Sequence, residues 1–130
     1  MPATKVVLYR EADGTVPLIE FLRQRRVPPA VRMKFIAYLE RLEQEGHELR
    51  RPAADFLQDG IYELRIRHQS VNYRILYFFH GQIAAVAAHA ITKEDRVPEK
   101  DIAIALTRRQ RFLADPDTHT SQERIEDEAR

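Results

Sequence analysis

The chain has 130 residues, 21 Lys or Arg against 20 Asp or Glu, a formal charge of +1 and no cysteine. That length fits one domain with a real core, and the lack of cysteine excludes disulfides and thiolate zinc sites. The start, MPATKVVLYREADG, has no apolar stretch of the kind a signal peptide carries. The longest uninterrupted apolar run, Ile83–Ala88, is far short of the ~20 residues of a membrane span, so a cytoplasmic protein with no membrane partner is expected.

The near-neutral total hides an asymmetry. Residues 114–130 hold six acids and two bases, a net of −4, which leaves +5 on the other 113 residues. A basic body suits a nucleic-acid or acidic-protein partner, although a mixed, solvated surface explains it equally well. The sequence divides into a domain over 1–113 and an acidic tail over 114–130, expected to fray or to form a marginal helix.

In chain order, Lys5–Tyr9 reads as a short strand closed by the turn signal Asp13-Gly14. Pro17 suits the first turn of a helix over about 16–24, with Leu18, Ile19 and Leu22 on one face. After Pro28 a stronger helix runs from Pro29 to Glu45, with the stripe Val31, Phe35, Leu39 and Leu42 and a stop at Gly46. Residues 47–60 read as an irregular connection whose Phe56 and Leu57 fold back onto the core. Three strands follow, over 61–67, 72–79 and 83–91, joined by short links and forming a meander. The third is apolar almost throughout, as a strand covered on both faces should be. The last predicted element is a helix over 98–113, acidic at its start and basic at its end. The order predicts a compact α+β domain.

Strand alternation constrains the chemistry. Glu63, Arg65 and Arg67 project to one face of their strand, and Tyr62, Leu64 and Ile66 to the other. On the next strand Arg74 shares a side with Leu76 and Phe78, while Tyr73, Ile75, Tyr77 and Phe79 take the opposite side. Arginines fixed beside apolar runs need a partner or an anion. Two readings stay open. One is a structural salt bridge between Glu63 and Arg65 or Arg74. The other is an anion site of Arg65, Arg74 and Lys93, because guanidinium forks match phosphate oxygens. Among five histidines none has zinc-site spacing or an HExxH context. No metal and no cofactor is expected. His89 reads as a core histidine with a satisfied ring, or less readily as an acid/base at the site edge. The run Arg108–Arg111 reads as the solvated end of a helix.

The ordered series Gly60-Ile-Tyr-Glu-Leu-Arg65, Tyr73-Arg-Ile-Leu-Tyr-Phe78, Ala90-Ile-Thr-Lys93 and Pro98 before a helix resembles the RelE/ParE toxin superfamily, most closely its phage-derived, HigB-like branch. The resemblance spans roughly residues 5–113. It implies a RelE-like small antiparallel sheet with two N-terminal helices on one side and a C-terminal helix. It also implies the toxin of a type II toxin–antitoxin pair, many of whose relatives are metal-independent, ribosome-dependent endoribonucleases. The implied partners are a cognate antitoxin of helix-turn-helix type, the ribosome and messenger RNA. The residues carried over are Arg65, Arg74 and Lys93 as electrostatic catalysts, with Glu63 as general base or as a residue that orients an arginine. Arg67, His68, Tyr73 and Arg96 are RNA-contact candidates. The chain departs from the pattern at Glu94, where relatives carry a second lysine; Arg96 lies two residues on. A gyrase-binding ParE-like toxin and a catalytically weak binding module in an antitoxin repressor complex are the alternatives, since one fold serves several functions.

Overall fold

The computed structural model describes residues 4–81, 84–92 and 96–121. Six strands and three helices alternate along the chain: β1 (Lys5–Tyr9), α1 (Pro17–Leu22), α2 (Pro29–Glu45), β2 (Ala54–Gln58), β3 (Ile61–His68), β4 (Val71–His80), β5 (Ala84–Thr92), α3 (Glu99–Ala114) and β6 (Thr120–Ser121). The sheet order is β2-β3-β4-β5-β1-β6. Every pairing is antiparallel except that of β1 with β5. This is an α+β fold consistent with the RelE-like architecture.

Local sequence explains the helices. Proline occupies the first turn of α1 and of α2, where its missing N–H has no intrahelical partner to lose. The buried residues of α2 are Val31, Phe35, Leu39 and Leu42, the predicted stripe. Glu99 and Asp101 in the first turn of α3 and Arg111 in its last complement the helix dipole.

The sheet separates two apolar layers. On one face α1 and α2 pack over Leu64, Ile66, Tyr73, Ile75 and Tyr77. On the other α3 packs over Ile61, Leu76, Phe78 and Val86. Strand β5 is buried between them. Ala85, Ala87 and Ala90 join the first layer, and Val86, Ala88 and Ile91 the second. Its many alanines let both helical layers approach the sheet closely.

Three features depart from the sequence reading. The connection after α2 is not irregular throughout: a 3-10 turn at Gly46–Glu48 is followed by β2, whose pairing with β3 lies beyond local sequence signals. Phe56 does not fold onto the core but stands 53% exposed on that edge strand. The expected boundary at residue 113 falls inside continuous structure. Thr120 and Ser121 pair with Tyr9 and Leu8, and the His119 ring stacks on Tyr9 at 5.3 Å. The tail up to Ser121 is therefore held against the sheet rather than frayed; its remaining residues lie outside those described.

A turn and a bulge set up the site. Gly60, at φ +82°, closes the β2–β3 turn in a conformation that side chains disfavour, and Arg109 of α3 donates to the Asp59 carbonyl at 2.6 Å. Between β4 and β5 the register shifts, so that Leu76 pairs with His89 and Tyr77 with Ala87. The extra residue, Ala88, gives its carbonyl to Arg108 at 2.8 Å. An unpaired bulge carbonyl thus finds its partner on α3.

Candidate anion-binding site

Cross-strand register brings the charged residues together. Arg65 on β3 lies directly opposite Arg74 on β4, and Arg74 opposite Ile91 on β5. Two positions back, Asp55, Glu63, Leu76 and His89 form a parallel row across four strands. Like charges set opposite each other destabilise a sheet unless something offsets them.

Glu63 offsets one of them. Arg74 donates to its carboxylate at 2.7 Å, and the two side chains are 8% and 5% exposed. The Arg74 Nε is buried and lacks a hydrogen-bond partner among the described residues. The salt-bridge reading therefore holds for Glu63 with Arg74. The same contact engages Glu63 in a buried pair, which favours its orienting role over that of a general base.

Arg65 differs. It is half-buried, and its guanidinium makes no hydrogen bond among the described residues. Its backbone N–H is fixed by the Ala53 carbonyl at 2.8 Å. Sequence reasoning missed two neighbours, Arg51 and Asp55, because β2 was unseen. They pair at 2.7 Å, and the Arg51 guanidinium, against the opposing effect of burial and with smaller help from the Phe56 N–H and Arg65, holds the Asp55 carboxyl below its ordinary value. With both nearby carboxylates engaged by Arg51 and Arg74, Arg65 retains a positive charge at the sheet surface.

The other expected contacts divide by face. Arg67 is exposed on the same side as Arg65, and Arg96 is exposed as well. Tyr73 is a correction. It is 4% exposed on the α2 side and packs edge-on against Phe35 at 6.4 Å. Alternation puts it opposite Arg74, so it is a core residue and not an RNA contact. His68 is partly buried and turns to α2, where Lys34 donates to its Nδ1 at 3.2 Å and to the Arg67 carbonyl at 3.1 Å. Lys34 carries no sequence signal beyond a polar position on α2. Lys93 and the departing residue Glu94 lie outside the described residues.

His89 is a satisfied core histidine. Its Nε2 meets Asp101 at 2.9 Å and its Nδ1 meets Arg108 at 3.1 Å. A guanidinium only donates, so Nδ1 accepts and Nε2 carries the proton toward Asp101. Burial first, then Arg108, pushes its pKa down against the opposing pull of Asp101. With both nitrogens used, the ring has no free position for acid/base work. Among the described residues no cluster of His, Cys, Asp or Glu could hold a metal, and no helix is long and apolar enough to cross a membrane.

The fold and the arginine row define a small α+β protein of RelE-like architecture with a cationic sheet face. Residues 23–110, 88 of the 130, match the family described as Phage derived protein Gp49-like (DUF891), and the chain belongs to that family. The family is linked to toxin-type proteins of the RelE kind and is compatible with a toxin of a toxin–antitoxin system. No curated protein matches the chain.

Proposed function

We propose that this protein is the toxin of a type II toxin–antitoxin pair and that it cleaves messenger RNA on the ribosome. The observation that carries the reading is the placement of Arg65, opposite Arg74, with its own guanidinium uncommitted among the described residues while Arg74 is held by Glu63. In the reaction the RNA 2′-oxygen attacks the adjacent phosphorus and loses its proton. The bond to the 5′-oxygen breaks, and that oxygen gains a proton. The products are a 2′,3′-cyclic phosphate and a 5′-hydroxyl. Negative charge gathers on the phosphoryl oxygens in the transition state, where a preoriented guanidinium stabilises it most. Arg65 supplies that group and Lys93 a second cation. Arg74 and Glu63 act as the rigid support beside Arg65. Arg67 and Arg96 hold the RNA backbone, and ribosomal RNA positions the scissile phosphate. An antitoxin with an acidic segment complements the basic body and covers the same face.

Induction of the chain without an antitoxin tests this. Growth should stop, protein synthesis should fail before DNA synthesis, and transcript ends should map to new cuts within coding regions. Arg65→Ala should lower cleavage by about two to three orders of magnitude at unchanged fold. DNA synthesis failing first with messenger RNA intact would replace this reading with gyrase binding. Antitoxin binding with no cuts would leave a binding module.

A further inference from the structure

Helix α2 reaches the cationic end of the sheet through one side chain. Lys34 spans from α2 to the tip of the β3–β4 hairpin, donating both to the Arg67 carbonyl and to the His68 ring. The tip itself is a two-residue turn, Gln69 and Ser70, both at positive φ. An ammonium group has no lone pair to offer, so the ring nitrogen facing it, Nδ1, must accept. The ring proton of the neutral form is then on Nε2, which has no hydrogen-bond partner among the described residues. Arg67, the preceding residue of β3, is exposed on the opposite face of the strand.

We propose that Lys34 is a positioning residue for RNA: it fixes the His68 ring as a donor to a phosphate oxygen and anchors the Arg67 backbone, whose side chain stands on the other face of the strand. The ligand is the phosphodiester backbone of RNA, so this rests on the ribonuclease reading above. Lys34 acts through its two neighbours on the hairpin and touches no reacting atom. The effect belongs to binding, because the tip extends the surface away from the Arg65–Arg74 pair. A uniform contact of this kind moves KM and spares kcat.

The test uses the full chain and four variants: Lys34→Met, Lys34→Arg, His68→Ala and the double variant Lys34→Met/His68→Ala. Nitrogen NMR of the free protein, at a pH high enough to hold the ring neutral, should show the Nε2–H tautomer for His68, replaced by a mixture of tautomers in Lys34→Met. With ribosomes programmed with a defined messenger RNA, Lys34→Met should raise KM about tenfold, the worth of one charge-assisted hydrogen bond, at constant kcat. Lys34→Arg should recover most of the loss. In the His68→Ala background, Lys34→Met should add little. A purely structural role predicts less folded protein with KM unchanged, which overturns the proposal. So does an additive double variant. If the wild-type chain cuts no RNA at all, the ribonuclease reading fails and the role of Lys34 falls with it. If the wild type cuts and Lys34→Met keeps the wild-type KM, only the role of Lys34 is lost.

Discussion

Glu63 and Arg74 pair in a nearly dry environment, and that sets what each substitution does. Removing one partner strands the other charge. Arg74→Ala or Glu63→Ala should therefore cost about 3–5 kcal/mol of stability. Arg65→Ala should cost under about 1 kcal/mol, because that side chain is half-buried and gives up no hydrogen bond to the described residues. Urea denaturation on the three variants checks the ranking, and equal losses would mean that Arg65 also serves the fold. His89 gives a pH dependence of definite sign. Its folded pKa is depressed, so the unfolded chain takes up the proton first. Stability is full above the unfolded value of about 6.5 and declines as the pH falls from there toward the folded value. His89→Gln should flatten that part of the melting-temperature profile. A variant profile parallel to the wild type would assign the decline to other groups.

At the scale of elements, β5 is a thin strand between two helical layers, and it tolerates little extra volume. Ala87→Leu should overpack the α1 side and cost about 1–3 kcal/mol. Thermal unfolding would register this, while cleavage per folded molecule should stay normal. Most elements were legible because their signals are local. Pro17, Pro29 and Pro98 mark helix starts, the Val31–Leu42 stripe marks a buried face, and alternation placed Glu63 and Arg65 on one face of β3, while the meeting of Arg74 with them waited on the register. Strand β2 was not legible, since ADFLQ becomes a strand only by pairing with β3. Arg51 and Asp55 went unseen with it. The parallel place of β1 beside β5 was equally hidden, because partners far apart in the chain leave no periodic trace. For Tyr73 the family pattern suggested a contact, whereas alternation already pointed it inward.

For the whole molecule, the segment after α3 is part of the fold. Arg10 donates its backbone N–H to the His119 carbonyl at 3.0 Å and its Nε to the Thr118 carbonyl at 3.1 Å. The His119 ring returns a bond from Nδ1 to the Arg10 carbonyl at 2.7 Å. A chain ending at Ala114 should lose these bonds, melt lower and self-associate through the bared edge of β1. One ending at Ser121 keeps every one of them and should stay monomeric, with the edge of β1 covered. Light scattering after gel filtration distinguishes the two, and a monomeric, fully stable short form would show that the segment is dispensable.

The place of β1 also carries a consequence for the order of events during synthesis. The first strand to leave the ribosome sits between β5 and β6, the last two strands to be made. Its neighbours do not exist until β5 and then β6 have emerged, so it must wait, unpaired, while everything from α1 to β4 is made. Nascent chains stalled before Ala84 should leave residues 5–9 open to protease, and those released beyond Ser121 should protect them. A molecule built in this way cannot close its sheet until the segment beyond α3 has been made.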